Sequence, residues 1–533
     1  MDRKWWTLIA VSVAIFMLLL DITVVNVALP SIQHDLHSSF SDLQWVVNAY
    51  ALTLAALLLT SGSLADLFGR RRIFAAGLVV FTLSSAACGL SSTPLMLNLA
   101  RAVQGVGGAM MFATSLALLA EAFHGRERGI AFGVFGAVTG AAVAVGPLLG
   151  GIITTGIGWQ WVFFVNVPIG VAAVALTLTR VTESRDPNAT GVDWVGLVTF
   201  SGSLFLLIYA LERGNEAGWG STKIVAMLSA AAALLAVFLL AESRQPRPML
   251  DLALFRRPAF TGASVVAFAV SSSIFAMFLY LTLYIQDVLG YGPLQAGLRF
   301  LPITLLSFLV APIAGRLSVR VPVRLLLGGG LLLVGGGLLA MTAVDATSGW
   351  TALIPGFVLA GAGIGMINPP LASTAIGVVH HSRSGMASGI NSTFRQVGVV
   401  TGIAGLGAVF EHQVTSATTA ALATRGQAHA VLAAAHGQLA ALLESGEVGR
   451  VLPTLSPAAR TALARSYRIG FTEAFTTILT IAAAIALVGA VLALVLVRSR
   501  DFVSSLEPTP VDDGPQLSLR GSYPEQLSTG SRG

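Results

Sequence analysis

An all-α polytopic membrane protein of about fourteen transmembrane helices is the fold that this 533-residue sequence predicts, on three observations. Hydrophobic residues make up 55% of the chain and charged residues 11%, with a mean hydropathy of +0.80. That composition lies outside the soluble globular range. Apolar stretches long enough to cross a hydrocarbon core, about 20 residues each, recur from Trp6 to Val497. They are continuous rather than alternating, which selects helices over a transmembrane barrel with its period of two.

Gly, Pro and charge punctuation divide the chain into spans. The first, 7–29, is longer than a secretory apolar core and lacks a small-residue cleavage pattern after it, so it is expected to stay as a helix. Spans at 45–64, 74–91, 95–120, 129–153 and 160–179 complete a first six. A pair at 195–211 and 223–241 follows, then a second six at 259–284, 294–314, 323–344, 351–376, 389–410 and 472–497. The expected organisation is an N-terminal six-helix half (1–180), two linker helices (181–258) and a C-terminal six-helix half (259–497) containing a long extracytoplasmic loop at 411–470. The tail 498–533, rich in Pro, Ser and Gly, is expected to be disordered.

A weak internal repeat supports two related halves. Placing Gly62 on Gly315 sets GSLADLFGRR beside GRLSVRVPVR, with Arg71 on Arg324 but Asp66 on Val319, and QGVGGAM (104–110) resembles AGAGIGM (360–366). Such repeats are typical of secondary transporters, whose substrate sites lie between the halves.

The short loops set the sidedness. Arg3 and Lys4, Arg70 to Arg72, Arg126 and Arg128, Arg185, Arg244 and Arg257, Arg316 and Arg324, and Arg383 all fall on one side. The intervening short loops carry little beyond Arg213 and Lys223. By the positive-inside rule the arginine side is cytoplasmic, and an even number of spans puts both termini there. Topology thus accounts for the net charge of +6 and leaves no reason to invoke a nucleic-acid partner. The single cysteine, Cys88, excludes a disulfide framework or a thiolate metal cluster, and no metal site is expected. The eight histidines fall in expected loops or at span ends, which argues against a buried histidine relay.

Against this apolar background a few residues stand out. Asp21, in LLLDITVVNVALP, lies inside the first span, where a carboxylate costs a few kcal/mol and usually serves ions or protons. A structural hydrogen bond in the bundle interior is the alternative. Arg101 lies inside the fourth span with Gln104 one turn away on the same face, and Asp21 is one candidate partner if the two helices meet. The fifth span carries Gly136 and Gly140, then Gly146, Pro147, Gly150 and Gly151, which suit close helix packing and a bend, or a seal between halves. Asn26, Phe275, Met277, Tyr280, Tyr284, Asn368 and Asn391 could line an apolar cavity with a few polar handles, or simply pack. No GxxxxGK[ST] phosphate loop occurs and nothing reads as a catalytic domain, so neither ATP, a cofactor nor enzymatic activity is expected, and an ion gradient is left as the energy source.

Several of these stretches resemble the major facilitator superfamily. GSLADLFGRRR (62–72) is similar to its motif A, RAVQGVGGA (101–109) to motif B, and AVGPLLGG (144–151) to motif C, the antiporter signature. LDITVVNVALP and WQWVFFVNVPIG (159–170) resemble the fourteen-span drug:proton antiporters of the EmrB/QacA type. The resemblance implies proton-coupled multidrug export by alternating access. Asp21, Arg101 and Gln104 would then serve proton coupling, and Gly62, Asp66, Gly69, Arg70 and Arg71 a latch on the cytoplasmic side. Gly146, Pro147, Gly150 and Gly151 would form the antiporter motif between the halves. Val319 departs from a duplicated aspartate, which implies a weaker second latch or none. The expected substrates are amphipathic or cationic drugs, moved by a monomer in a bacterial plasma (inner) membrane. The Arg- and Ala-rich, Lys-poor usage points to a GC-rich bacterium. A dedicated exporter of one endogenous metabolite or lipid is the rival reading, and a non-transporting sensor or scaffold a more distant one.

Overall fold

The computed structural model describes residues 2–123, 125–185, 191–245, 248, 250–318, 320–378, 384–424 and 455–498. Among them are fourteen helices long and apolar enough to cross a membrane, and no strand. These are α1 (Arg3–Leu36), α2 (Phe40–Phe68), α3 (Arg70–Gly89), α4 (Pro94–Ala122), α5 (Ile130–Gly156), α6 (Gln160–Arg180) and α7 (Trp194–Ala217). The chain continues with α8 (Thr222–Arg244), α9 (Pro258–Val288), α10 (Pro293–Leu317), α11 (Val323–Met341), α12 (Trp350–Thr374), α13 (Met386–Ala423) and α14 (Pro457–Leu496).

Local chemistry sets the helix ends. Ser39 and Asp42 cap α2 reciprocally, side chain to backbone in both directions. Thr93 accepts from Met96 N at the start of α4, where Pro94 supplies a preset φ at no hydrogen-bonding cost. Between α2 and α3 the chain turns on one residue, Gly69, whose φ of +108° is out of reach for most side chains. Inside α9 two wide π-turns, Ser271–Phe275 and Tyr284–Val288, interrupt the α-helical period.

In the first six helices α1 runs along α5, α2 and α3 flank α4, and α6 leans on α3 and α1. In the last six, α12 packs between α10 and α11, and α14 between α11 and α13. The α7–α8 pair docks through α7, which touches both α2 and α13. The two groups meet chiefly through α2 against α13 and α5 against α10. Outward-facing Leu83, Leu99, Leu240, Val488 and Val491 remain exposed, as a lipid-facing rim requires.

The ends of the bundle differ in charge. At one end, here the basic end, Lys4 Nζ pairs with Glu127 at 2.9 Å and Arg70 with Glu121 at 3.6 Å. At the opposite end Trp159 Nε1 donates to Asp35 at 3.0 Å.

Four boundaries depart most from the sequence reading, the first being the end of α1, which continues past 29 to Leu36. α7 continues past 211 to Ala217, α13 past 410 to Ala423, and α14 begins at Pro457 rather than 472. The link expected as 411–470 is therefore helical at both ends, and its central residues lie outside the described set, as do Val319 and the tail from 499. Glu212 and Glu411 end a span by hydropathy, whereas the folded helices carry them inward against polar partners.

Candidate functional site

Helices α1 and α4 meet, and the polar residues buried in them close on one another. Arg101 Nη1 donates to Asp21 Oδ2 at 2.5 Å and to Gln104 Oε1 at 2.7 Å. Gln104 Nε2 reaches Asp21 Oδ1 at 2.9 Å. The i, i+3 spacing of Arg101 and Gln104 lets both address the same carboxylate from one face of α4. Arg101 Nε donates to the Val46 carbonyl at 3.0 Å, and its guanidinium carbon sits 4.3 Å from the centre of the Tyr50 ring.

Two residues that the sequence reading passed over complete the network. Asn166 Nδ2 donates to Asp21 Oδ1 at 3.3 Å and to Ser85 Oγ at 3.1 Å. Ser85 Oγ in turn donates to the Phe163 carbonyl at 2.9 Å. Asn166 occupies this position because α6 is offset at Val165, between the short helix Gln160–Phe164 and the segment Asn166–Arg180. Asp21 and Arg101 are each 1% exposed, so the pair is sealed from both water and lipid. A buried ion pair of this kind contributes little net stability, yet loss of either partner is costly. Asn26, partly exposed, is not one of Asp21's partners.

The α5 glycines pack that helix on α1 within the first group and on α10 of the second. A side-chain carbon at Gly150 would lie 2.8 Å from the Val24 carbonyl of α1, and one at Gly146 would overlap Thr23. At Gly151 it would lie 2.7 Å from both Leu294 Cα and the Pro293 carbonyl of α10. Gly297 of α10 closes on the Pro147 carbonyl. Only glycine permits such backbone approach. All of this packing is at the opposite end; nothing lies within 4 Å of the corresponding positions at Gly133 and Gly136, nearer the basic end. Polar ties reinforce the closed end: Gln286 Nε2 to the Val27 carbonyl (2.8 Å), Leu294 N to Thr155 Oγ1 (3.1 Å) and Gln44 Nε2 to Glu411 Oε1 (3.1 Å). Asn48 Nδ2 donates to Glu212 at 2.6 Å, joining α7 to the same cluster.

Among the described residues, the charged turn at the basic end ties to α2, α4 and the segment just after α6. Asp66 Oδ1 accepts from Arg70 Nε (3.1 Å) and Nη2 (3.0 Å), and Arg70 N donates to the Ser184 carbonyl (2.8 Å). Glu183 accepts from Arg71 N at 3.0 Å and fills the space beside Gly69, where a side chain would collide with its carboxylate. Gly62 is open, with nothing within 4 Å of its missing side chain.

Phe275, Met277, Tyr280, Tyr284, Asn368 and Asn391 separate into two environments. Met277, Tyr280 and Tyr284 are fully buried. Tyr280 donates to the Ile403 carbonyl at 2.7 Å and Tyr284 stacks on Phe475 at 4.7 Å. In this structure these three lie in the packed core. Asn391 Nδ2 donates to the Ala263 carbonyl at 3.3 Å, a helix-to-helix tie. Asn368 and Phe275 instead converge on Arg395 of α13, a residue the sequence reading did not select.

The sequence profile described as Major Facilitator Superfamily matches residues 11–403. The chain belongs to the Major Facilitator Superfamily. It is accordingly a multi-pass membrane transport protein and not an enzyme. Among its relatives, the tetracenomycin C resistance and export protein of Streptomyces glaucescens is 34% identical over 96% of this chain and 94% of its own. The multidrug resistance protein Stp of Mycobacterium tuberculosis is 38% identical over 76% of this chain and 75% of its own. In fold, this superfamily member is similar to a crystal structure of a bacterial homologue of the human lysosomal transporter Spinster. The TM-score is 0.61 at 18% identity, covering 94% of this chain and 99% of that one.

Proposed function

We propose that this transporter is a proton-coupled antiporter that exports amphipathic drugs by alternating access. It would act as a monomer in a bacterial plasma membrane, with the basic end cytoplasmic and no need for ATP. Relatives named for resistance to tetracenomycin C and puromycin and for multidrug resistance support the export of toxic compounds. The observation that carries the coupling is the sealed contact of Asp21 with Arg101, Gln104 and Asn166.

In this reading a proton arriving at Asp21 removes the charge that Arg101 answers, and Arg101 turns to Gln104 and the Val46 carbonyl alone. The consequence reaches the seal directly, because Thr23 and Val24 follow Asp21 by two and three residues and are the surfaces on which Gly146 and Gly150 rest. A shift of α1 therefore loads α5, and α5 bears on α10. On this reading the present arrangement, closed at the opposite end, would be a state that faces the cytoplasm. The proton-motive force supplies the work, about 2.3 kcal/mol per charge for each 100 mV.

The test is proton release. Purified protein in weakly buffered detergent is titrated with members of a chemically varied dye panel while pH is followed. Wild type should release protons on binding several dyes, and Asp21→Asn should bind them without release. Release undiminished in Asp21→Asn would remove Asp21 from the coupling. A single accepted compound would favour a dedicated exporter.

A further inference from the structure

Arg395 is the odd charge in the second half of the transporter. It lies inside α13, part-buried, with Nη2 donating to Asn368 Oδ1 of α12 at 2.8 Å and its guanidinium carbon 5.8 Å from the centre of the Phe275 ring of α9. Among the described residues it forms no ion pair. Arg101, the buried arginine of the first half, is by contrast neutralised by Asp21. A guanidinium at membrane depth is costly unless it faces a carboxylate or a wet cavity, and a neutral amide oxygen meets only one of its five N–H donors.

The surroundings hold the group in place rather than answer its charge. α13 approaches α9 through Gly398 and Gly402, whose missing side chains would strike the Phe268 carbonyl at 2.6 Å and Ser272 at 2.7 Å. The π-turn Ser271–Phe275 lies at that contact and ends on Phe275. Arg395 is one turn of α13 before Gly398, so backbone contact fixes the base of its side chain while its head stays partly exposed. The remaining donors form a planar fork suited to a carboxylate or phenolate, beside an aromatic face suited to a ring.

We propose that Arg395, oriented by Asn368 and flanked by Phe275, is the substrate subsite for an acidic oxygen on an aromatic cargo. The inference rests on the export reading and narrows it. The class is aromatic compounds bearing a carboxylate or an ionised phenol, whereas a cation placed here would be repelled.

Equilibrium binding to the full chain in lipid nanodiscs tests this with two planar dyes of opposite charge, fluorescein as the aromatic carboxylate and ethidium as the aromatic cation. Wild type should bind fluorescein. Arg395→Gln should weaken it about tenfold or more, as expected for the loss of a charge-assisted hydrogen bond. Arg395→Lys, which keeps the charge but not the fork, should fall between, and ethidium should be unaffected by either change. The proposal is overturned if wild type does not bind fluorescein, if Arg395→Gln leaves its affinity unchanged, or if both dyes weaken alike. Proton-driven uptake of both dyes into inverted vesicles separates the two readings. Ethidium transport without fluorescein binding would sink the subsite and leave export standing. Arg395-dependent fluorescein binding with no proton-driven movement of either dye would do the reverse.

Discussion

Neutralising the Asp21–Arg101 pair one partner at a time, and then both together, separates a coupling site from a structural ion pair. In Asp21→Asn the new Oδ1 can still accept from Gln104 and Asn166, which stand 2.9 and 3.3 Å from the native atom. The new Nδ2 faces Arg101 Nη1, donor against donor, across what was a 2.5 Å bond. Arg101 then keeps only Gln104 Oε1 and the Val46 carbonyl. In Arg101→Met the carboxylate keeps two amide donors and loses its counter-charge. Each single change leaves one uncompensated charge that is 1% exposed, which costs about 3–5 kcal/mol, here toward the lower figure because amide partners persist. The double variant holds no buried charge and should lose no more than about 2 kcal/mol, well short of the sum of about 6.

Unfolding in detergent micelles measures the stability terms, and dye uptake into inverted vesicles under an imposed pH gradient measures transport. The singles should be unstable and inactive in uphill transport, and the double should regain stability while staying inactive. Recovery of proton-driven transport in the double variant would refute the coupling role, since a merely structural pair is replaceable. Strict additivity of the two stability losses would refute the electrostatic account of the contact itself.

Three further outcomes follow from other parts of the molecule. Gly151→Val places a branched side chain against the backbone of Pro293 and Leu294. The overpacking penalty of about 1–3 kcal/mol falls on the closed state, a shift of roughly 5- to 150-fold, so spin labels at Ile157 and Gln295, exposed on α5's end and on α10, should move apart. Asp66→Asn removes an i, i+4 pair whose carboxylate is 40% exposed, worth about 0.3–0.5 kcal/mol, so turnover should slow several-fold while expression and unfolding scarcely change. Asp193 caps α7, accepting from Gly196 N at 2.7 Å and Gln245 Nε2 at 2.9 Å. Burial pushes its pKa up, but hydrogen bonds, first that of Gln245 and then that of Gly196, leave it below the ordinary carboxylate value. Asp193→Ala should therefore cost about 1 kcal/mol at neutral pH. Because the folded pKa is the lower one, the part of this that depends on ionisation is present above the unfolded value near 3.9 and disappears only as pH falls through the folded one; unfolding measured from pH 7 to pH 3 checks both.

The helices were legible because twenty-odd apolar residues have no other stable use, and Asp21 and Arg101 because a charge within such a run is conspicuous. Ser85 and Asn166 were not legible. They are neutral, carry no hydropathy signal and acquire meaning only when α3 and α6 bring them to Asp21. Glu212 and Glu411 were lost for the opposite reason: a carboxylate ends a span by hydropathy, although Asn48 and Gln44 admit them to the folded helices. Arg395 lay within an expected span, but in NSTFRQ its polar neighbours make it look like a helix terminus. Met277, Tyr280 and Tyr284 are buried in the packed core, and no local pattern in SSSIF announces the π-turn ahead of them.

The two intramembrane arginines imply a division of labour that neither half shows alone. In the first half the charge is closed on itself, three side chains around one carboxylate, so in the coupling reading its state would change by taking up or losing a proton. In the second half the charge is held by one amide and the residue is left partly exposed, so in the proposed subsite its state would change with what binds. Proton and cargo would thus act on different helices, α1 and α4 in one case and α9, α12 and α13 in the other, and communicate only through the contacts between halves. Those contacts include the α5–α10 glycine seal, the α1–α9 tie of Gln286 to Val27 and the α2–α13 face braced by α7. It follows that Gly151→Val should uncouple the two events without abolishing either. Proton release from Asp21 and fluorescein binding at Arg395 should both survive in that variant, while binding of the dye should no longer release the proton.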